Sequence, residues 1–451
     1  MPTARFDPPG PLSGSVRPPP DKSISHRAAI LAAMGEGETA VRGYLDAADT
    51  RSTLATVASL GAMVEKGPRG GLNSTIGGLE LRIRGVGLRG AASAEIDVGN
   101  AGTLMRLLPG WLAGQPEGVW TLDGDESIRR RPIDRVVGPL TEMGAVVAAR
   151  EGRVPPLEIR GGRLHGIEYR LPVASAQVKS CLLLAGLLAD GPTTVVEPAP
   201  TRDHTERMLR AAGAVLQVKP AGTPVAIRGE LPGNRITVLP AERLDLGDVT
   251  VPADFSSAAF LLVAAVLVPG SAVTVTGVGL NPTRIGLLGI LNRMGAGIEV
   301  AEGMPAAGEP TGAVTARHGP PLKGVRVGGS EVPLAIDELP LVALLGCFAE
   351  GETHLSGAQE LRHKESDRIA TVVGGLAGLG AEIEATGDGF VVSGTGSLRG
   401  GALDSHGDHR LAMLGAVAGL ASTEGVEVSG FEAAVVSYPG FEADLRGLAA
   451  A

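Results

Sequence analysis

A chain of 451 residues that is 44% hydrophobic can bury more than one core, and its 67 glycines and 32 prolines suit many short connections, so two domains are expected. The net charge of −9 argues against nucleic acid or an anionic membrane as a general partner, because either needs a broad basic face. Cys181 and Cys347 lie in apolar runs and are too few for a cysteine metal site; the longest apolar stretch, Ala258 to Val268, is too short to span a bilayer; and residues 1–20 have no hydrophobic signal core, so a soluble cytoplasmic protein is expected.

The N-terminal run ARFDPPGPLSGSV reads as a strand and leads to a helix opened by DKSISHR (21–27). The first turn of that helix carries Lys22, Arg27 and a His26 that would add a third charge if protonated. A helix N-terminus is the positive end of the macrodipole, so cations there cost stability unless an anion offsets them. Alanine- and leucine-rich helices with polar openings recur at GNAGTLMR (99–106), ASAQVKS (174–180), ADFSSAAF (253–260), AIDELP (335–340) and HGDHR (406–410). Most continue through a glycine into a Thr- or Val-rich strand.

A second helix type ends in Gly-Ala at Gly61, Gly144, Gly213, Gly295 and Gly380, at intervals of 69 to 85 residues. Each step precedes a short β-rich run (MVEK, VVAA, VLQV, GIEV, EIEA), the pattern of a helix that stops on glycine and hands over to a strand. The unit is mixed α/β and repeats six times. The sixth helix, YPGFEADLRGLAA, lacks the step, and the N-terminal run would supply its missing strand. That layout predicts two crossovers between a domain of residues 20–246 and one of residues 1–19 plus 247–451, with three units in each.

If the three alanine-rich helices of each domain point the same way, six polar N-termini face a shared cleft that attracts anions. Lys22, Arg27, Arg106, Arg129 to Arg131, Lys179, Arg202, Lys364, Arg368 and Arg410 crowd these openings or the starts of the second helices. So many cations suit substrates rich in phosphates and carboxylates.

At these residues the chain resembles the 5-enolpyruvylshikimate-3-phosphate synthase family of enolpyruvyl transferases. The matching motifs run in order along nearly the whole length: DKSISHRA (21–28), GNAGTLMR (99–106), RRRPI (129–133), SAQVKS (175–180), TRDHTE (201–206), IDELP (336–340), KESDRI (364–369) and GDHRLAM (407–413). The resemblance implies an α/β fold of two similar domains, each of three βαβαββ repeats arranged as an inside-out α/β barrel, closing over shikimate 3-phosphate and phosphoenolpyruvate. It also implies no cofactor or metal, and a monomer with neither nucleic acid nor membrane as partner.

Carried over residue by residue, the family's roles give shikimate 3-phosphate to Lys22, Ser23, Arg27, Ser175, Gln177, Arg202, Asp337 and Lys364. Phosphoenolpyruvate falls to Lys22, Gly102, Thr103, Arg131, Gln177, Arg368 and Arg410. Arg131 is preferred to Arg129 because it precedes Pro132 as in the family pattern, and backbone N–H groups at Gly102 and Thr103 would approach a phosphate. Asp337 would act as base toward the 5-hydroxyl, with Glu365 or Lys22 handling the methylene proton. Bland readings stand beside these: Ser175 or Asp337 as helix caps, and Glu365 paired with Lys364 or Arg368 on a solvated face. Val436 occupies a place where many relatives carry lysine. Glycine at position 102 implies inhibition by glyphosate in competition with phosphoenolpyruvate. Two rivals remain: an enolpyruvyl transferase acting on UDP-N-acetylglucosamine, expected to show a reactive loop cysteine, and a non-catalytic anion-binding paralogue.

Overall fold

The computed structural model describes residues 2–67, 77–221 and 232–450. The second repeat shows the unit in full: strand Ala94–Asp97, helix Gly102–Ala113, strand Val119–Asp123, helix Asp134–Glu142, then strands Val146–Arg150 and Val154–Arg160. The first strand pairs parallel with the central Val119–Asp123, which pairs antiparallel with Val154–Arg160, and Val146–Arg150 closes the outer edge. The same order recurs in the third repeat (168–238) and the fifth (326–393).

The Gly-Ala steps have a common geometry. Gly61, Gly144, Gly213, Gly295 and Gly380 adopt φ between 85° and 104°, the left-handed region that a side chain resists. Each glycine N–H donates to the carbonyl three residues back, and each alanine N–H to the carbonyl five back, as in Ala62 to Val57 and Ala381 to Leu376. Two orphan carbonyls are thereby satisfied and the chain turns into the outer strand, beginning at Met63, Val146, Leu216, Gly297 or Glu382.

The alanine-rich helices are apolar all round, and they are buried all round. Lys22–Met34, Gly102–Ala113 and Ala176–Gly186 fill one core, while Phe255–Leu267, Leu339–Cys347 and His409–Ala421 fill the other. A β-carbon on Gly110 would lie 2.1 Å from the Cys181 carbonyl oxygen, so glycine is what lets two of these helices approach at that point. The sheets form the outer layer and alternate accordingly, as in Leu79–Arg84, where Leu79, Leu81 and Ile83 face in.

Two edge strands are exchanged between repeats. The N-terminal run is two strands rather than one: Thr3–Phe6 pairs antiparallel with Val426–Ser429 and closes the sixth repeat, while Ser13–Val16, beyond Pro8-Pro9, becomes the parallel edge of the fourth repeat beside Ala272–Gly279. Val249–Thr250 takes the equivalent place in the first repeat, parallel to Glu38–Tyr44. That pairing moves the boundary from the expected 246/247. The chain divides into one compact unit of residues 20–252 with 305–309, and another of residues 1–19, 253–304 and 310–451. The excursion at 305–309 was not expected from the sequence. It is held in the first unit by Glu309, a fully buried carboxylate 2.8 Å from His204 Nδ1 and 3.8 Å from Arg207 Nε. Among the described residues no helix is long and apolar enough to cross a membrane.

Candidate active site

In the 20–252 unit the polar helix openings hold the predicted residues. Asp21 caps the first helix by accepting the Ile24 N–H at 2.8 Å, and Lys22 Nζ pairs with Asp49 Oδ2 at 3.1 Å. His26 is buried, with Nδ1 2.6 Å from Thr53 Oγ1. Burial, with Lys22 and Arg27 as neighbouring cations, pushes it down to about 3 against the pull of Asp49, so it is neutral near pH 7 and adds no charge to the opening.

Arg27 is 4% exposed and donates to the Thr205 hydroxyl (2.7 Å), the Ser180 hydroxyl (3.0 Å) and the Ser23 carbonyl (3.0 Å). Glu206 and Asp21 act on it only through space, without ion-pair contact. Burial, assisted by the nearby charge of Arg202, draws its pKa down to about 10. It remains a cation, buried without a contacting carboxylate. Lys179 departs from expectation: it is buried between Glu197 (3.0 Å) and Glu206 (2.7 Å), which raise its pKa against the effect of burial, so its charge is already balanced.

Ser175 caps its helix through a long 3.4 Å bond from the Val178 N–H, and Gln177 Nε2 reaches Thr103 Oγ1 at 3.2 Å, linking two helix starts. The Gly102 N–H donates to the Asn100 carbonyl at 2.8 Å, so it is engaged locally rather than turned toward a phosphate. Instead, two guanidinium tips flank Gly102: a β-carbon there would lie 3.0 Å from Arg106 Nη1 and 3.2 Å from Arg131 Nη1. Arg131 is fixed by Asn100 Oδ1 (2.8 Å) and Ser127 Oγ (3.0 Å). Arg129 is exposed and engaged with both oxygens of Asp123. Of the two, Arg131 is thus the one that flanks Gly102.

In the other unit Asp337 lies in the turn between helices Val332–Ala335 and Leu339–Cys347, and the latter has no side-chain cap. Asp337 is therefore not the cap of the helix it precedes. Four cations surround it: Arg368 Nη1 (3.4 Å) and Lys364 Nζ (3.8 Å) at Oδ1, Arg410 Nη2 (3.4 Å) and Arg284 Nη1 (3.5 Å) at Oδ2. Arg368, 1% exposed, also binds Asp408 through Nε (2.8 Å) and Nη2 (3.2 Å), and Glu365 through Nη2 (2.7 Å). Although burial opposes it, these carboxylates raise the Arg368 pKa above its usual value. Its fork is occupied by protein carboxylates, and the Glu365–Arg368 pair is not on a solvated face.

Arg284, Asp49 and Asp408 escaped the motif reading, and Arg106 was noted there only as a cation. The repeat register contained a signal for Arg284. Arginine stands at or just before the second helix of four successive repeats: Arg131, Arg202, Arg284 and Arg368. Cys181 and Cys347 are buried free thiols, both pushed up by burial, Cys347 to about 12. Neither has the exposure or acidity of a reactive loop cysteine.

Residues 6–445 match the family model for EPSP synthase (3-phosphoshikimate 1-carboxyvinyltransferase). A 3-phosphoshikimate 1-carboxyvinyltransferase of Synechococcus sp. (strain WH7803) is 48% identical over 97% of this chain and 96% of its own length. One from Alkalilimnicola ehrlichii is 48% identical over 96% and 93%. The solved EPSP synthase of Acinetobacter baumannii superposes with a TM-score of 0.83 at 41% identity, covering 99% of this chain and 98% of that one. The enolpyruvyl transferase NikO of Streptomyces tendae shares the fold at a TM-score of 0.73 and 18% identity, over 98% and 96% of the two chains. With the whole length matched and the motif residues gathered at the helix openings of both units, the chain belongs to the EPSP synthase (3-phosphoshikimate 1-carboxyvinyltransferase) family.

Proposed function

We propose that this protein transfers the enolpyruvyl group of phosphoenolpyruvate to the 5-hydroxyl of shikimate 3-phosphate, releasing phosphate. The observation that carries the reading is Arg27, a cation buried among hydroxyls with Lys22 and Arg202 near it, because a buried charge without a contacting counter-ion suits a bound anion. In this reading Lys22, Ser23, Arg27, Ser175, Gln177 and Arg202 hold shikimate 3-phosphate, together with Asp337 and Lys364. Lys22, Gly102, Thr103, Arg131, Gln177, Arg368 and Arg410 serve the donor, with Arg368 acting chiefly by holding Asp337 and Glu365.

The chemistry runs in two steps. The donor's methylene carbon takes a proton from Glu365 or Lys22, the C2 centre becomes electrophilic, and the 5-hydroxyl adds to it as Asp337 accepts the hydroxyl proton. A proton then returns from the new methyl group to the Glu365 or Lys22 that gave it as the C2–O bond to phosphate breaks, restoring the double bond, and the hydroxyl proton held by Asp337 leaves with the departing phosphate. The protein is further read as a cytoplasmic monomer. Phosphate release from phosphoenolpyruvate should require shikimate 3-phosphate and should not occur with UDP-N-acetylglucosamine. Release with the nucleotide sugar, or with neither acceptor, would refute the assignment.

A further inference from the structure

Asp337 and Glu338 are adjacent in the chain yet have opposite surroundings. Asp337 has four cations around it, whereas Glu338 is fully buried and, among the described residues, forms no ion pair. One Glu338 oxygen accepts the Ser256 hydroxyl, and the other has no hydrogen-bond partner in the described structure. Burying a carboxyl group with half its hydrogen-bonding capacity unmet costs stability. It also does not cap the helix it precedes. A packing role would be met more cheaply by leucine.

Ser256 supplies the reason. It lies in the first turn of helix Phe255–Leu267, whose cap Asp254 accepts the N–H groups of Ser256 (2.7 Å) and Ser257 (3.4 Å). The same Asp254 oxygen receives Arg284 Nη2 at 3.0 Å, and Arg284 Nη1 reaches Asp337 Oδ2 at 3.5 Å. Asp337 is thus tied to this helix turn through Arg284, and Glu338 is tied to it directly through Ser256. Two attachments on successive residues fix both the position and the direction of the backbone carrying Asp337, which otherwise lies in an uncapped turn. A general base needs that control, since a displacement near 1 Å can cost about 10²-fold in rate.

We infer that Glu338 and Ser256 form a positioning latch for Asp337, a role that rests on the reading of Asp337 as base. Ser256→Ala and Glu338→Leu should each lower kcat about 10- to 100-fold while both KM values stay within about threefold. Glu338→Gln keeps an oxygen to accept the Ser256 hydroxyl and should restore kcat to within about threefold of wild type. Should Glu338→Leu fail to fold, Ser256→Ala, which removes one hydroxyl, carries the test. Wild-type kcat in Ser256→Ala with a lowered Tm would overturn the latch while leaving the base intact. Wild-type kcat in Asp337→Asn would overturn the base and the latch with it.

Discussion

Two buried arginines, one in each unit, show what the two regions are built to do. Arg27 lies among hydroxyls and a carbonyl, and its pKa is drawn down by burial; Arg368 holds Asp408, Glu365 and Asp337, and its pKa is raised by them. The first is a cation that no carboxylate of the described residues contacts, although Glu206, Asp21 and Glu309 act on it through space. The second is a scaffold whose charge is already balanced, and its product is a set of aligned carboxylates. One arginine is left without a contacting carboxylate, and the other gathers three.

The sharpest way to break this comparison is at Asp337. Asp337→Asn should fold normally and bind shikimate 3-phosphate within about tenfold of wild type, while kcat falls roughly 10²- to 10⁴-fold. Near-normal turnover would remove the proton-handling half of the account.

Next come the arginines themselves. Arg368→Met should cost about 3–5 kcal/mol in denaturant unfolding, because it strands Asp408, a fully buried carboxylate whose ion pair among the described residues is with Arg368. Arg27→Met removes a buried charge that no carboxylate contacts, and Ser180 and Thr205, already 2.7 Å apart, can satisfy each other. Its stability should change by no more than about 1 kcal/mol. Equal losses in both variants would erase the distinction.

Much of this organisation was legible. The five Gly-Ala steps could be read because a left-handed helix terminus selects glycine so strongly that the spacing alone marks the repeat. The polar helix openings were legible as well: Asp21, Ser175, Asp254 and Asp408 cap the helices read at four of them, whereas the helices Gly102–Ala113 and Leu339–Cys347 have no side-chain cap. What escaped was long-range. No local signal says that Ser13–Val16 and Val249–Thr250 join distant repeats, because a short edge strand is placed by whichever sheet has a parallel edge to fill. Nor does a motif reveal whether a cation is already neutralised. Lys179 and Arg27 stand close in the unit, yet Glu197 and Glu206 contact the lysine and not the arginine.

A smaller effect is expected at Gly102. A methyl there would press on Arg106 and Arg131 at 3.0 and 3.2 Å, so Gly102→Ala should raise the KM for phosphoenolpyruvate several-fold, of the order of 1 kcal/mol. It should also relieve the competitive inhibition by glyphosate that the wild type is expected to show. An insensitive wild type would place the donor elsewhere.

A pH-dependent effect concerns His26. Its folded pKa of about 3 lies below its usual 6.5, so the unfolded chain binds the extra proton and stability falls as pH drops from about 6.5 toward 3. The slope from this group is at most about 1.4 kcal/mol per pH unit. His26→Gln should flatten the pH dependence of unfolding across that window, and an unchanged slope would show that His26 charges in the folded state.

The most direct test of the central claim is calorimetric titration of shikimate 3-phosphate, without the donor, into wild type, Arg27→Met and Arg368→Met. If Arg27 awaits the substrate's anion, its loss should weaken binding tens- to a hundredfold, the range for a hydrogen bond to a charged group, with the Arg27→Met protein still stably folded. Arg368→Met, wherever it remains folded, should bind within about tenfold of wild type. Undiminished affinity in Arg27→Met would contradict the account.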